Sequence, residues 1–304
     1  MQLAITSDDL NLRIDKFLRA RLVNAPLSVI FKFLRSKVKI NGKKVEPSYR
    51  IKENDSIELL ISEQEFENLS KTKNKTPQRQ TFSVLHEDDD LLVIDKPSGL
   101  ASHSGTGVME NNLMDQIFSY LGRKNVALVN RLDRETSGIV VVGKNKQVVR
   151  ALNQMIKERK VKKYYLALVK GEFKRKSGTL KSYVKRIEED FQHRTIISAE
   201  SEPDSTLAEL NYNVISSAKD FTLLEIELIT GKMHQIRAQL QSEHHPIIGD
   251  KLYGDEEINK KLKLNRQFLH AYKIIFRHPT TSNEIIIESP LPESLKKVKT
   301  SIFN

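Results

Sequence analysis

Asn130-Arg131-Leu132-Asp133-Arg134-Glu135-Thr136-Ser137-Gly138-Ile139-Val140-Val141-Val142 joins a charged, turn-forming run directly to a β-branched apolar run. The apolar half reads as a buried strand. Thr136, Ser137 and Gly138 allow the sharp turn that leads into it. Asp133 stands between Arg131 and Arg134, and opposite charge on both sides favours an ionised carboxylate. A carboxylate on a loop that a strand holds rigid suits a nucleophile. The same pattern describes an ordinary surface ion pair, which is far commoner, so the rest of the chain has to decide.

The chain has 304 residues, enough for about two domains. Lys and Arg number 50 against 39 Asp and Glu, a formal net charge of +11. Such an excess favours a polyanionic partner, most often nucleic acid, over a merely solvated basic surface. Cysteine is absent, which excludes disulfides, cysteine-rich zinc sites and thiol nucleophiles. The lack of cysteine also fits a reducing cytosol, so a cytoplasmic protein is expected. The first 22 residues carry charges throughout and have no apolar core, so no signal peptide is expected. No apolar run is long enough for a membrane-spanning helix, and no membrane partner is expected.

Ile14, Phe17, Leu18 and Leu22 repeat at helical spacing with basic residues between them. A second helix is predicted from Ser28, as N-cap, through Ile30, Phe31 and Leu34. Asn41-Gly42 inside Val38-Lys39-Ile40-Asn41-Gly42-Lys43-Lys44-Val45 predicts a hairpin, and a further strand is predicted at residues 56–61. The first 80 residues hold 16 Lys and Arg against 10 Asp and Glu. Residues 66–80 are rich in Lys, Asn, Thr and Gln and read as a flexible linker. Beyond it, Phe82 to His86 and Leu91 to Ile94 flank an acidic turn as a hairpin. Helices are predicted through Leu113, Ile117 and Leu121 and through Val148, Leu152 and Ile156. Tyr164 to Val169 reads as a strand whose two tyrosines point to opposite faces. Residues 172–204 predict only short strands, and residues 207–215 and 221–229 a longer antiparallel pair. Thr230-Gly231-Lys232-Met233-His234-Gln235-Ile236-Arg237 turns from strand to helix, placing His234 and Arg237 on one helical face. A hairpin around His278-Pro279 and a helix over residues 290–298 end the chain.

Arg13-Ile14-Asp15-Lys16-Phe17-Leu18, Val38-x-Ile40-Asn41-Gly42-x-x-Val45 and Asn54-Asp55-Ser56-Ile57 resemble the S4 RNA-binding fold. That resemblance implies a small α/β RNA-binding module over residues 1–65, with Arg13, Lys16, Arg35, Lys43 and Lys44 as phosphate contacts. Ser28-Val29 stands where the fold commonly has Ser-Arg. Residues 81–304 resemble the RluA-type pseudouridine synthases. The matching runs, in order, include Asp95-Lys96-Pro97-Ser98-Gly99, Arg131-Leu132-Asp133-Arg134-Glu135-Thr136-Ser137-Gly138 and Lys163-Tyr164-Tyr165-Leu166-Ala167-Leu168-Val169. Thr230-Gly231-Lys232-x-His234-Gln235-Ile236-Arg237, Pro246-Ile247-x-Gly249-Asp250-x-x-Tyr253-Gly254 and Leu269-His270-Ala271 follow. The layout and the segment Leu264-Asn265-Arg266-x-Phe268 look most like the family's large-subunit (23S) rRNA members.

The resemblance implies an α+β chain whose catalytic domain has a mixed, mainly antiparallel sheet with flanking helices. It implies isomerisation of uridine to pseudouridine in RNA, without metal or cofactor, by a monomer that flips the target nucleotide out of its stack. Asp133 would be the catalytic carboxylate, Arg237 its ion-pair partner, and Tyr165 the ring that stacks on the base and serves in proton transfer. Arg131 would fill the space that the base leaves, and Arg134, Lys163, Lys232 and His234 would contact RNA. The chain departs from the family pattern at Asn130, usually His, at Lys232, commonly Arg, and at Gln239, frequently His. A non-catalytic S4-type RNA-binding or ribosome-assembly protein is the competing reading. An RNA uridine methyltransferase is disfavoured by the missing cysteine and the lack of a Gly-rich cofactor loop.

Overall fold

The computed structural model describes residues 1–6, 9–70, 80–103, 111–122, 126–189 and 192–303. The chain divides into two compact units, Met1–Pro77 and Gln78–Asn304. The smaller unit contains β1 (Gln2–Leu3), α1 (Ile14–Arg21), α2 (Leu27–Ser36), β2 (Val38–Ile40), β3 (Ile57–Leu59) and α3 (Glu63–Ser70). Its strands pair in the order β1-β3-β2, all antiparallel. Ile14, Phe17, Leu18, Ile30, Phe33 and Leu34 turn the apolar stripes of α1 and α2 onto that sheet and are buried.

Three expectations for this unit change. The second helix starts at Leu27 behind Pro26, so Ser28 is inside it and is not its cap. Asn41 and Gly42 do form a tight turn with positive φ, and Ile40 and Lys43 exchange backbone hydrogen bonds across it. The chain then leaves the sheet, and β2 takes β3 as its partner across a longer loop. Residues 66–70, expected in the linker, continue α3, whose Phe66 and Leu69 pack against the unit's core. Residues 71–79 lie outside the described residues.

The larger unit runs β4 (Ser83–Glu87), β5 (Leu91–Lys96), α4 (Leu113–Leu121), β6 (Ala127–Leu128), β7 (Ser137–Gly143), α5 (Lys146–Lys157), β8 (Lys162–Lys170), β9 (Ser177–Glu189) and β10 (Gln192–Ser198). It continues through β11 (Thr206–Ala218), β12 (Phe221–Leu228), α6 (Gln235–Ser242), α7 (Glu256–Lys261), β13 (Leu269–Arg277), β14 (Glu284–Glu288) and α8 (Glu293–Phe303). Among the described residues eleven strands form one sheet, ordered β10-β9-β11-β12-β8-β13-β7-β5-β4, with β14 added to β13 and β6 to β7. The β13–β7 pair is parallel and the other pairs described are antiparallel, so the sheet is mixed and mainly antiparallel.

The apolar runs of β5 and β7 follow from cover on both faces. Leu92, Ile94, Val140 and Val142 join the main core with α4 and α6, whereas Leu91, Val93, Ile139 and Val141 pack under α5. Asn112 and Asn145 cap α4 and α5 by accepting the backbone N–H groups of Asp115 and Val148. Residues 172–204 depart from expectation, because β9 is a thirteen-residue strand folded back against β10. Its alternation is blurred by Lys181, Lys185 and Arg186, which an edge ladder tolerates. The closing helix begins at Glu293, after Pro290 and Pro292, and runs to Phe303.

The sheet forks beside the opening stretch. Ser137 and Gly138 of β7 pair with His270 and Ala271 of β13, after which β13 pairs with β14 instead. Gly138 has φ +114, and a Cβ there would lie 2.2 Å from the Ala271 carbonyl oxygen. Strain at that φ and the clash with backbone act together, so Gly138→Ala is expected to lower unfolding stability by about 2–4 kcal/mol. Urea denaturation of the variant beside wild type measures it, and an unchanged midpoint would contradict the close approach.

Candidate active site

Asp133 lies in the turn just before β7. Its carbonyl accepts the Thr136 N–H at 3.1 Å, and the buried Leu132 roots the turn in the main core. Residues 96–102 grip this turn from one side. Lys96, with no exposed surface, donates to the carbonyls of Pro97, Leu100 and Arg134 at 2.8–3.1 Å. Ser102 Oγ donates to the Leu132 carbonyl and Ser98 Oγ to Glu135. On the other side, Gln267 Nε2 donates to Thr136 Oγ1, and Ser137 Oγ meets both Arg266 and His270 Nδ1. The turn is thus fixed along its length, and Asp133 is left to present its side chain.

Burial, followed by the charge of Arg266, brings the Lys96 amine down to about 7 against the pull of Asp133, Glu135 and Asp95. Three carbonyl acceptors match the three N–H bonds of an ammonium, so the protonated form is the one that bonds all three and ties residues 96–100 to the Asp133 turn.

Arg237 reaches Asp133 from the first turn of α6, with Nη1 donating to Oδ2 at 2.8 Å. Asp250 holds another edge of the guanidinium, with Nε donating to Oδ2 at 2.6 Å and Nη2 to Oδ1 at 2.9 Å. Asp250 is fully buried and also accepts the N–H groups of Leu252 and Tyr253. Burial would raise the Asp250 carboxyl, but the Arg237 bond and charge and the two N–H groups outweigh it and hold it below the usual range. Asp133 keeps 26% of its side chain exposed, and among the described residues its Oδ1 accepts no hydrogen bond.

Tyr165 is buried on the face of β8 that looks into the same cleft as Asp133. Burial, and then the Asp133 charge, push its phenol well above the usual range, so it stays protonated. The cleft has a volume of about 800 Å³. Arg131, Lys163, Arg186, Lys232 and Arg237 line it against the single carboxylate of Asp133.

The predicted residues are not all brought together. Asp133, Tyr165 and Arg237 converge, and Arg131, Lys163, Lys232 and His234 line the cleft with them. Arg134 turns away, donating from Nε to the Gly99 carbonyl. The flanking arginines therefore do not supply the charge partner of Asp133; Arg237 does. His234 is not on the α6 face. It sits before the helix with φ 51, Nδ1 3.2 Å from Tyr253 Oη and Nε2 3.9 Å from Asp133 Oδ2, too far for a hydrogen bond. Burial pushes its imidazole below the usual range against the pull of Asp133, with Arg237 adding to the push. In the smaller unit Lys16, Arg35, Lys43 and Lys44 are exposed, but Arg13 makes a two-bond pair with Asp15. Asp250 and Lys96 were missed as side chains with a job of their own. Both lie in the quoted runs, but their partners are distant in sequence.

The sequence model of the RNA pseudouridylate synthase family matches residues 90–242, and that of the S4 domain residues 12–57. A ribosomal large subunit pseudouridine synthase C from Haemophilus ducreyi is 34% identical over 302 residues, covering 97% of this chain and 93% of that protein. The chain belongs to the RNA pseudouridylate synthase family. It is an RNA pseudouridine synthase with an N-terminal S4 domain. The Escherichia coli K12 ribosomal large subunit pseudouridine synthase C is also 34% identical, covering 99% of this chain and 96% of its own length. The solved structure of human RNA pseudouridylate synthase domain containing 4 superposes with a TM-score of 0.58 at 26% identity, over 72% of this chain and 92% of that one. No helix among the described residues is long and apolar enough to cross a membrane.

Two of the three departures from the family pattern in this synthase have structural explanations, and nothing in the structure explains Lys232. Asn130 accepts the Val141 N–H at 2.8 Å and donates to the Ile139 carbonyl at 3.1 Å, bridging to the strand β7 as a backbone group would. Gln239 donates to Ser182 Oγ at 2.9 Å and accepts from Gln235, filling a buried polar corner.

Because the Asp250 carboxyl is depressed in the folded state, its stabilisation is present above roughly pH 4 and is lost as pH falls below that. Asp250→Asn is expected to cost about 3 kcal/mol near neutral pH, leaving Arg237 short of a buried counter-charge, and to flatten the acid limb of the stability curve. Chemical denaturation from pH 3 to pH 7 reads both, and parallel curves for variant and wild type would contradict the pairing.

Proposed function

We propose that the protein isomerises uridine to pseudouridine in large-subunit (23S) ribosomal RNA, with Asp133 as the reacting carboxylate. The bond from Arg237 to Asp133 at the cleft, with Oδ1 accepting no hydrogen bond among the described residues, carries this reading. The names of the bacterial relatives support the choice of RNA.

The reaction breaks the bond from uracil N1 to the ribose, turns the base, and joins ribose to uracil C5. C5 gives up a proton and N1 takes one up, so nothing is gained or lost and the chemistry calls for no cofactor. The target atoms are stacked in folded RNA, so the nucleotide must swing out before a carboxylate can reach it. A cleft of this volume lies within the usual range of about 300–1,000 Å³ for small-ligand sites. In this reading Tyr165 stacks on the base as a neutral phenol, placed to donate rather than to accept a proton. Arg131 is exposed at the rim and makes no hydrogen bond or ion pair among the described residues, which suits a side chain that fills the vacated stack. Lys232 and Arg186 add phosphate attraction, which is long-ranged and salt-sensitive. The exposed Lys16, Arg35, Lys43 and Lys44 of the S4 domain would dock RNA without base readout. We place the enzyme in the cytoplasm as a monomer.

Asp133→Ala is expected to bind rRNA with wild-type affinity and to lose isomerisation by about 10⁴-fold or more. Release of tritium from uracil C5 of labelled rRNA measures it. Undiminished release would remove Asp133 from the chemistry, and no release by wild type would favour a binding protein. Removing residues 1–77, at the boundary between the units, is expected to weaken rRNA affinity and flatten its salt dependence. Filter binding across a salt series reads this, and unchanged affinity would deny the S4 domain a docking role.

A further inference from the structure

Lys163 is a buried cation without a counter-charge. It is 8% exposed, and among the described residues it makes no hydrogen bond and no ion pair. It lies on β8 two residues before Tyr165, on the same buried face, and both line the cleft. Two residues along a strand span about 7 Å, within the reach of a lysine side chain. Its Nζ rests against Gly231, where a Cβ would lie 3.6 Å away. Burial alone pushes its amine below the usual lysine range, with no acidic side chain holding it up. Arg237 already divides its single positive charge between the carboxylates of Asp133 and Asp250, so that charge is matched before a further anion arrives.

A buried unpaired cation costs stability, and a site retains one where an anion will meet it. Two anions can arrive in this cleft, an RNA phosphate and the base itself. Phosphates are the natural partners of the exposed Arg131, Arg186 and Lys232 at the rim. Lys163 is buried where those three are exposed, and it lies two residues from Tyr165 on the same face of β8, where the flipped base is placed in the reading above.

We propose that Lys163 is a catalytic residue whose ammonium meets a carbonyl edge of the flipped uracil and stabilises the negative charge that the base acquires as its bond to ribose breaks. This rests on the function proposed above. When the N1–ribose bond breaks, its electron pair passes to the uracil and spreads from N1 onto the ring carbonyl oxygens. The ribose carbon left electron-poor faces the Asp133 carboxylate. The new bond then forms from C5 with that same electron pair, the C5 proton departs, N1 takes up a proton, and Lys163 returns to its unpaired state. The uracil carries little charge before and after the reaction and most charge in between. Lys163 therefore binds the transition state more strongly than either end state, which is the condition for raising a rate rather than an affinity.

The test compares Lys163→Met and Lys163→Arg with wild type on C5-tritiated large-subunit rRNA, in single-turnover tritium release, salt-dependent binding and thermal melting. Lys163→Met is expected to melt no lower than wild type, to bind RNA with unchanged affinity and salt slope, and to release tritium about 10²–10³-fold more slowly. Lys163→Arg, which keeps the charge, should recover much of that loss. A weaker affinity with a salt slope smaller by about one, at an unimpaired rate, would make Lys163 a phosphate contact and overturn the proposal. An unchanged rate in Lys163→Met, or a variant that no longer folds, would overturn it too. Wild-type release in the same assay keeps the two readings apart, because its absence would strike the proposed function and not Lys163 alone.

Discussion

A guanidinium has five N–H donors and no acceptor, so an arginine taken out of water is stable only where oxygens surround it. Arg237 meets that demand by dividing itself between two carboxylates. Asp250, wholly buried and braced by the N–H groups of Leu252 and Tyr253, takes Nε and Nη2 and fixes the plane of the group. Nη1 is then left pointing at Asp133. One positive charge serves two negative ones, and the two carboxylates are not equal. Asp250 has its oxygens filled by protein, whereas Asp133 retains exposure and an oxygen free of protein hydrogen bonds among the described residues. The asymmetry separates an anchoring carboxylate from one placed to react.

Such a pair would achieve little if the turn bearing Asp133 could drift. The grip of Lys96, Ser98 and Ser102 on one flank and of Gln267, Arg266 and His270 on the other ties the turn to the ends of β5 and β13. The fork of the sheet at Gly138 and Ala271 brings those ends together. Fold and site thus depend on one another. The parallel contact is short because β13 must leave β7 and take β14, and Gly138 stands where only a residue without Cβ lets the backbones close to that distance.

Much of this was legible in the sequence. β-branched runs gave β7, helical spacing gave α5, and alternation gave the β11–β12 pair. Asp133, Tyr165 and Arg237 stood in motifs specific enough to be named together. What escaped shares a physical cause, since it depends on partners far away in the chain. The two arginines beside Asp133 looked like its natural counter-ions, but neither is, because the turn sends Arg134 to Gly99 and Arg131 into solvent. The true partner, Arg237, is 104 residues on and was named only through the family resemblance, because nothing local to Asp133 points to it. Asp250 carries no local sign of ion pairing, and helical periodicity misplaced His234, whose positive φ puts it before α6 instead of on it. The long β9–β10 hairpin was hidden because charged side chains on an edge ladder obscure the alternation that marks a strand.

The most direct measurement of the account maps pseudouridine in large-subunit rRNA from cells that contain the protein, cells that lack it, and cells that carry only the Asp133→Asn form. The account predicts that particular uridines of that RNA lose their modification when the protein is missing and that Asp133→Asn, expressed at the wild-type level, restores none of them. Restoration by Asp133→Asn, or an identical map in all three, would contradict it.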